Sequence, residues 1–232
     1  MKTRIPLLIA SCLILFSAPQ AKAGGLLMLS GGAASANIDY ATTGTELTEA
    51  FQALDHKLTG SGSVAGLYWA PDFGLLIGVG YQSYLMTGKA NWKETNYTLD
   101  GTTFDTIEID VQQSKLALAG NFGAFGFHFN IGESVTVMPQ VRQGTAKMTY
   151  QEEGSVSLSL GGLSGSGDYL GEYTDSVPLR VYALPILFAV NDNLMLGFEA
   201  QSLATTITIE DSTESMTFNL ENGFMLSLAT RF

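Results

Sequence analysis

Seven polar side chains interrupt apolar stretches of this sequence at similar intervals, and they are the residues best placed to act together. Six lie 9 to 12 residues from the centre of a short chain break or from the last residue, and the seventh shares a face with one of them. They are Gln82, Asn121, Arg142, Arg180, Glu199, Gln201 and Glu221. If the level they share is buried, the arginines and glutamates must pair, because an unpaired buried charge costs several kcal/mol.

Patterns for catalysis are weak. His56 follows Asp55 with no spaced serine motif, and His128 lacks the His-x-Ser pattern of lipid A deacylases. The ordinary roles are a solvated loop histidine and a histidine at a rim. No spacing of His and Cys suits a metal, and no Gly-rich phosphate loop follows a strand. We therefore predict no enzymatic activity, no cofactor and no metal site.

Pro139 and Pro185 stand inside otherwise strand-like segments, each seven residues from the nearer short break. Proline cannot donate a backbone hydrogen bond, so two prolines at one level of the sheet weaken the pairing there. Two local bulges explain the pattern. The alternative is a candidate lateral weak point through which a lipid or apolar solute passes.

The last stretch of the chain shows which elements position these residues. From Phe218 to Phe232 apolar and polar residues alternate, and this period of two is typical of a β-strand. Short breaks at Asp72, Gly132 and Asp192 are sixty residues apart and separate similar stretches. We predict eight strands, at 25–41, 58–70, 74–88, 108–129, 134–150, 174–190, 194–209 and 217–232.

The segments between the long strands are polar. Asp100-Gly101 is a hairpin signal, and Gly161-Gly162 is a weaker one, so the second and third loops are predicted to be partly hairpins. In the first loop Leu47, Phe51 and Leu54 recur at helical spacing, which predicts a short amphipathic helix. Aromatic residues near the three short breaks predict an interfacial girdle. They are Tyr68, Trp69, Phe73, Phe125, Phe127, Phe129 and Phe188.

The amino terminus has the features of a secretory signal peptide over residues 1–23: a basic start, a short apolar run and the small-residue site Ala21-Lys22-Ala23. A lipobox-like Ile9-Ala10-Ser11-Cys12 is the alternative, but the apolar run continues past it to Phe16. Of 11 basic residues three leave with this segment, so eight remain against 22 acidic residues, a net charge near −14. Nucleic acid is an unsuitable partner for such a chain.

After residue 23 no stretch approaches the roughly 18 apolar residues of a membrane helix. A chain that is apolar, Gly-rich and poor in charge can still cross a membrane as a closed barrel. With its aromatic last residue, the alternating final strand resembles the closing strand of small eight-stranded bacterial outer-membrane β-barrels, the OmpA/OmpX/OmpW-like class. The resemblance implies that residues 24–232 form an all-β up-and-down barrel and that Phe232 belongs to the signal read by the barrel assembly machinery.

An eight-stranded barrel is just wide enough for side chains to fill, so we expect a polar, largely plugged lumen. The first functional hypothesis is a structural or surface-interaction protein that meets an extracellular partner through its loops. A narrow channel for small or apolar solutes is the alternative, and a lipid A-modifying enzyme is a third. Expected surroundings are outer-membrane lipid and lipopolysaccharide, with the acidic loops either solvated or bridged to lipid phosphates by divalent cations.

Overall fold

A computed structural model describes residues 24–42, 54–71, 74–99, 101–208 and 214–232. Within these ranges, the side chains of residues 40–42, 99, 203–208 and 214–222 are excluded from the description. The predicted signal peptide, the first-loop helix as far as residue 53 and the girdle residue Phe73 lie outside the described residues. Within them, no helix is long and apolar enough to cross a membrane.

The described chain is organised as ten β-strands. They are β1 (Gly25–Thr42), β2 (His56–Trp69), β3 (Leu75–Leu99), β4 (Thr102–Phe127), β5 (Phe129–Ile131), β6 (Val135–Val137), β7 (Gln140–Leu160), β8 (Leu163–Ala189), β9 (Leu194–Thr208) and β10 (Glu214–Arg231). Two pairs of these are one interrupted strand each. β5 continues β4 beyond His128, and β6 continues into β7 across Met138 and Pro139, since the same register holds on both sides of each break.

The strands close into a ring. Each pairs antiparallel with its neighbour in the chain, β8 pairs with β9, and β10 pairs with β1 from Leu26↔Arg231 to Thr42↔Glu214. Counting the interrupted strands once gives eight, which confirms the predicted eight-stranded up-and-down barrel. Where all eight strands pair, closure leaves no free edge, so the backbone groups there are bonded within the sheet. Beyond Val181↔Leu203, toward the long loops, β8 and β9 no longer pair.

The predicted short turns close one end of the barrel. At the first, the Gly74 amide donates to the Pro71 carbonyl at 3.0 Å, and Gly74 adopts φ +90°, which a side chain would strain. At the third, the Asn191 side-chain oxygen accepts bonds from the Asn193 and Leu194 amides at 3.0 and 2.9 Å. Such side-chain caps reverse the chain within few residues. At the same end the Phe232 amide donates to the Gly25 carbonyl at 3.0 Å.

The two predicted hairpins are confirmed at the other end. β3 and β4 pair up to Leu99↔Thr102 and β7 and β8 up to Leu160↔Leu163, with Gly101, Gly161 and Gly162 at positive φ in the turns. Since β4 also pairs with β7 as far as Thr106↔Ser159, the two hairpins form one sheet. We call this sheet the blade, and define it as residues 90–111 and 154–169.

The barrel wall carries its large apolar side chains on both faces. One set fills the interior as a continuous core that includes Met28, Leu58, Leu76, Met148 and Leu179, each no more than 1% exposed. Another set lies on the outside: Leu67, Trp69, Ile77, Val79, Tyr81, Leu85, Phe125, Phe127, Phe129, Tyr182, Leu184, Phe188, Leu196, Phe224 and Leu226. Because a water-soluble protein rarely exposes so extensive an apolar surface, this one faces lipid.

The predicted girdle is confirmed in part. Phe125, Phe127, Phe129, Phe188 and Trp69 are half exposed on the outer face near the short turns, and Phe127 stacks on Phe129 with ring centroids 6.4 Å apart. Tyr68 is an exception. Its ring is 2% exposed inside the barrel, where it lies over Gly66 and Gly78. A closed barrel with such a surface is an integral membrane protein of the bacterial outer membrane.

Candidate functional site

An ion pair lies inside the barrel between β7 and β9, the two strands that flank β8. The two terminal nitrogens of Arg142 (β7) donate to the two carboxylate oxygens of Glu199 (β9) at 2.6 and 2.7 Å, and both side chains are fully buried. The Arg142 guanidinium also lies 5.2 Å from the centre of the Phe122 ring. A bidentate ion pair with an adjacent aromatic ring strongly stabilises a buried charge.

Neutral polar groups complete the coordination of Glu199. The Gln201 amide donates to one carboxylate oxygen, and the Ser30 hydroxyl donates to the other at 3.3 Å. Behind them the Tyr84 hydroxyl donates to the Gln201 carbonyl, and Ser30 bonds the Ser227 hydroxyl at 2.9 Å. Strands β1, β3, β7, β9 and β10 all contribute, so this cluster links opposite walls of the barrel.

The predicted seven residues are only partly brought together. Gln82, Arg142, Glu199 and Gln201 point inward and are buried. Glu221 sits where both pairings of β10 lose register, at a β-bulge, and its side chain lies outside those described.

Two of the seven orientations are wrong. Asn121 is exposed on the outer face because its neighbour Phe122 points inward and packs against Arg142. Arg180 is exposed because its neighbours Leu179 and Val181 fill the interior at 1% and 0% exposure. Outside, Arg180 lies directly opposite Gln143. A lipid-facing arginine costs about 2–4 kcal/mol at the bilayer centre but only about 0–1 kcal/mol near an interface, so Arg180 belongs near the outer boundary.

Several buried polar groups beside the ion pair are unsatisfied. The side-chain amides of Gln82 and Gln140, the Tyr68 hydroxyl and the Nε of Arg142 find no hydrogen-bond partner among the described residues. Such groups are ordinarily served by buried water, since leaving them unpaired costs about 1–3 kcal/mol each. The interior around the ion pair therefore carries polar groups that the described side chains do not satisfy.

The two prolines occupy different kinds of position. Pro139 stands in the break between β6 and β7, and its carbonyl accepts the Phe127 amide at 3.0 Å. Pro185 is within β8 opposite Glu199, and its carbonyl accepts the Met138 amide at 2.9 Å. The wall is thus held through the carbonyls at both places, although neither nitrogen can donate.

A second polar cluster lies at the mouth of the barrel, and sequence patterns missed it. The ring of His56 contacts the Ser114 hydroxyl with Nε2 at 2.6 Å and lies with Nδ1 4.0 Å from Glu152. Glu152 accepts hydrogen bonds from the hydroxyls of Tyr150 and, at 2.9 Å, Tyr169. The prediction of a solvated loop histidine was wrong, because β2 begins at His56 and carries its ring inward, where it is 1% exposed.

The mouth cluster contains a serine, a histidine and a carboxylate, the groups of a nucleophilic catalyst. Ser114 is 0% exposed, however, and a gap of 4.0 Å between His56 and Glu152 exceeds hydrogen-bond length. The cluster fastens β2, β4 and β7 beneath the blade. Burial lowers the pKa of His56 below its ordinary value of 6.5, and the nearby Glu152 carboxylate opposes this only in part. The His56 ring lies above the apolar outer surface of the barrel, level with the exposed Lys57 and Lys115.

The other histidine is at the opposite end. His128 separates β4 from β5 near the short turns, and its Nε2 donates to the Pro71 carbonyl at 2.6 Å. It is buried at the rim, where it ties the first turn to the second. The described residues contain no group of three or more His, Cys, Asp or Glu side chains that could hold a metal ion.

The blade has one apolar and one polar face. Ile107, Ile109 and Val111 are fully buried on the first, and Ile109 and Val111 pack with Leu54 and Trp92. The second carries a shallow concavity lined mainly by serine and threonine, in which Lys93 bonds Glu108 at 2.8 Å and lowers the pKa of that carboxyl. At the edge of the blade, residues 163–169 of β8 pair with β7 and with no other described strand, since β9 joins β8 only from Val181.

No protein-family model matches the chain, and no curated protein sequence matches it. Solved structures of outer-membrane proteins match over most of their length. OprG from Pseudomonas aeruginosa is 9% identical, with 93% of this chain and 99% of that one covered and a TM-score of 0.43. Neisserial surface protein A is 14% identical, with 92% and 100% covered and a TM-score of 0.37. Ail of Yersinia pestis is 13% identical, with 90% and 99% covered and a TM-score of 0.29. What this chain does must be argued from its own residues.

Proposed function

We propose that this protein displays the blade outside the cell to bind an extracellular partner, and that its plugged barrel is the membrane anchor. The observation that carries the proposal is the continuation of β3, β4, β7 and β8 beyond the barrel as one paired sheet. A hairpin that served only to return the chain would not need a packed apolar face of its own. In this proposal Phe232 keeps its role in recognition by the assembly machinery.

The open edge of the blade supports one mode of binding. Residues 163–169 offer backbone donors and acceptors, and Leu163 at their start and Leu170 just after them are 79% and 77% exposed. Strand addition to such an edge obtains affinity from main-chain bonds and specificity from alternate side chains. An extended segment of a host or neighbouring protein is the kind of partner that this edge fits.

Shortening one hairpin tests the blade. Gly154 and Tyr169 are directly paired, so an Asn-Gly turn can replace residues 155–168 without disturbing the register below. Cells producing the intact protein are expected to attach to cultured epithelial monolayers, and cells producing this variant are expected to lose that attachment. The matched control replaces residues 98–103 by Asn-Gly between the paired Tyr97 and Phe104, which keeps the β8 edge. Equal attachment by both shortened variants would refute binding through β8.

The plugged lumen predicts an absence of porin-size conductance. The Arg142–Glu199 pair and the side chains around it occupy the section that ions would cross. Purified protein in planar bilayers should give no stable opening of porin size, and the shortened-hairpin variants should behave alike because the plug lies below the blade. A stable porin-size opening in the intact protein would contradict the plug.

A narrow passage for small or apolar solutes is the second candidate. The unsatisfied groups at Gln82, Gln140 and Tyr68 favour it, because a file of water could run beside the ion pair. Pro139 and Pro185 add the candidate lateral weak point, where the wall lacks two donors. Solute uptake by cells would separate the candidates. In the lateral version, Pro185→Val abolishes uptake of an apolar solute while bilayer conductance stays unchanged.

A further inference from the structure

A polar groove lies on the outer wall where β3 and β4 fall out of register. At this bulge Lys89 of β3 faces two residues of β4, Gln112 and Gln113. The extra residue interrupts the alternation, so these two glutamines are exposed in succession. The groove has a volume of about 350 Å³ and is lined by Thr87, Gly88, Lys89, Gln112 and Gln113. Bulges of this kind often re-aim side chains toward a ligand.

Two cations belong to the groove. Lys89 lies in its wall, and Lys115 is the next outward residue on β4, directly opposite Thr87. Both are exposed, and among the described residues neither has a carboxylate within 4.0 Å. Glu153 is the acid that comes nearest in register, opposite Gln113 on β7. In a chain with twice as many acidic as basic residues, two neighbouring lysines left without an acid suit an anion from outside.

The groove sits at the upper limit of the lipid-facing surface. The next outward residues toward the short turns are Leu85 on β3, which is 48% exposed, and Ala117 on β4. On the other side the blade begins at Ala90. Acyl chains that cover Leu85 would place their headgroups level with Lys89 and Lys115.

We propose that this groove binds the phosphate groups of the phosphorylated glycolipid of the outer leaflet, lipopolysaccharide. The ammonium groups of Lys89 and Lys115 meet phosphate oxygens, and Thr87, Gln112 and Gln113 donate hydrogen bonds around them. The inference rests on the proposed function in one respect, the position of the barrel in the outer membrane. It adds a lipid site on one side of the wall, whereas the proposed partner binds the blade.

The test uses full-length protein folded in phosphatidylcholine vesicles and titrated with purified lipid A, with bound lipid read by native mass spectrometry. The K89Q/K115Q double variant should bind about tenfold more weakly. Lys93→Gln is the matched control, because Lys93 lies on the blade and already pairs with Glu108 at 2.8 Å, and it should bind as the intact protein does. Equal affinity of the double variant and the intact protein would overturn the site.

Two further arms identify the contact. Inorganic phosphate in excess should compete poorly, since it lacks the acyl chains that rest on Leu85; full competition would show a free-phosphate site and overturn the lipid assignment. Glu153→Gln or a chelator should leave the affinity for lipid A unchanged or raise it. A loss of lipid A affinity with either would show that a divalent cation bridges the phosphates to the protein instead of direct lysine contact. All variants are first checked for the heat-dependent gel shift of a folded barrel. Failure of the intact protein to insert into vesicles would refute the membrane assignment. Insertion with a lipid A affinity that K89Q/K115Q leaves unchanged would refute the groove alone.

Discussion

Replacing Glu199 by alanine is expected to destabilise the barrel by about 3–5 kcal/mol, because Arg142 would stay buried without its partner. The Arg142 side chain is fully buried, and its guanidinium lies against the Phe122 ring. Arg142→Ala should cost a similar amount by stranding Glu199. Urea unfolding of the protein in vesicles, followed by loss of the folded band on a gel, measures both.

The control is the double variant R142M/E199L, which removes both charges and keeps apolar volume. It should be more stable than either single variant, because the desolvation cost of two ions leaves with them. Gln201 keeps its contact with the Met225 sulfur at 3.4 Å, and Ser30 keeps Ser227, so few groups are stranded. If the double variant lost an unfolding free energy equal to the sum of the two single losses, the two residues would not be coupled.

The inward residues of β7 and β9 could be predicted because each strand has one clearly apolar face. Val135, Val137 and Val141 alternate with Gln140 and Arg142, and Leu194, Leu196 and Phe198 alternate with Glu199 and Gln201. In both cases the valines or leucines meet lipid, and the charged partner lies inside. Opposite charges that point inward from the two strands flanking β8 could then be expected to pair inside the barrel.

The same rule failed on β8 and β4 because the interior of this barrel is also apolar. Leu179, Val181 and Leu187 alternate as regularly as the lipid-facing valines, yet they fill the core while Tyr182 and Arg180 point out. A period of two identifies a strand but not which face is inside when both surroundings are apolar. The expectation that polar faces look inward was therefore wrong for these two strands.

Features that depend on the register between strands could not be predicted from the sequence. His56 and Ser114 are 58 residues apart and meet because β2 and β4 flank β3 at the barrel mouth. The groove likewise exists because β4 has one residue more than β3 at Lys89. Turn residues predict where strands end, whereas a single bulge within long strands has no comparable sequence signal.

Acid should loosen the mouth cluster. Burial lowers the pKa of His56, so the folded state binds fewer protons than the unfolded state near pH 6.5 and its stability rises with pH through that range. The contribution of His56 is complete above its ordinary pKa of 6.5 and is lost as pH falls toward the lowered value. Hydrogen exchange around Ser114 and Glu152, corrected for intrinsic rates, should therefore speed up from about pH 7.5 to about pH 5.

His56→Gln provides the decisive comparison. An amide can still bond the Ser114 hydroxyl but does not titrate in this range, so its local exchange should be independent of pH after correction. His128→Gln is the control, because that histidine lies at the opposite end against Pro71 and should leave the pH dependence at the mouth intact. An acid response that persists in His56→Gln would show that His56 is not its source.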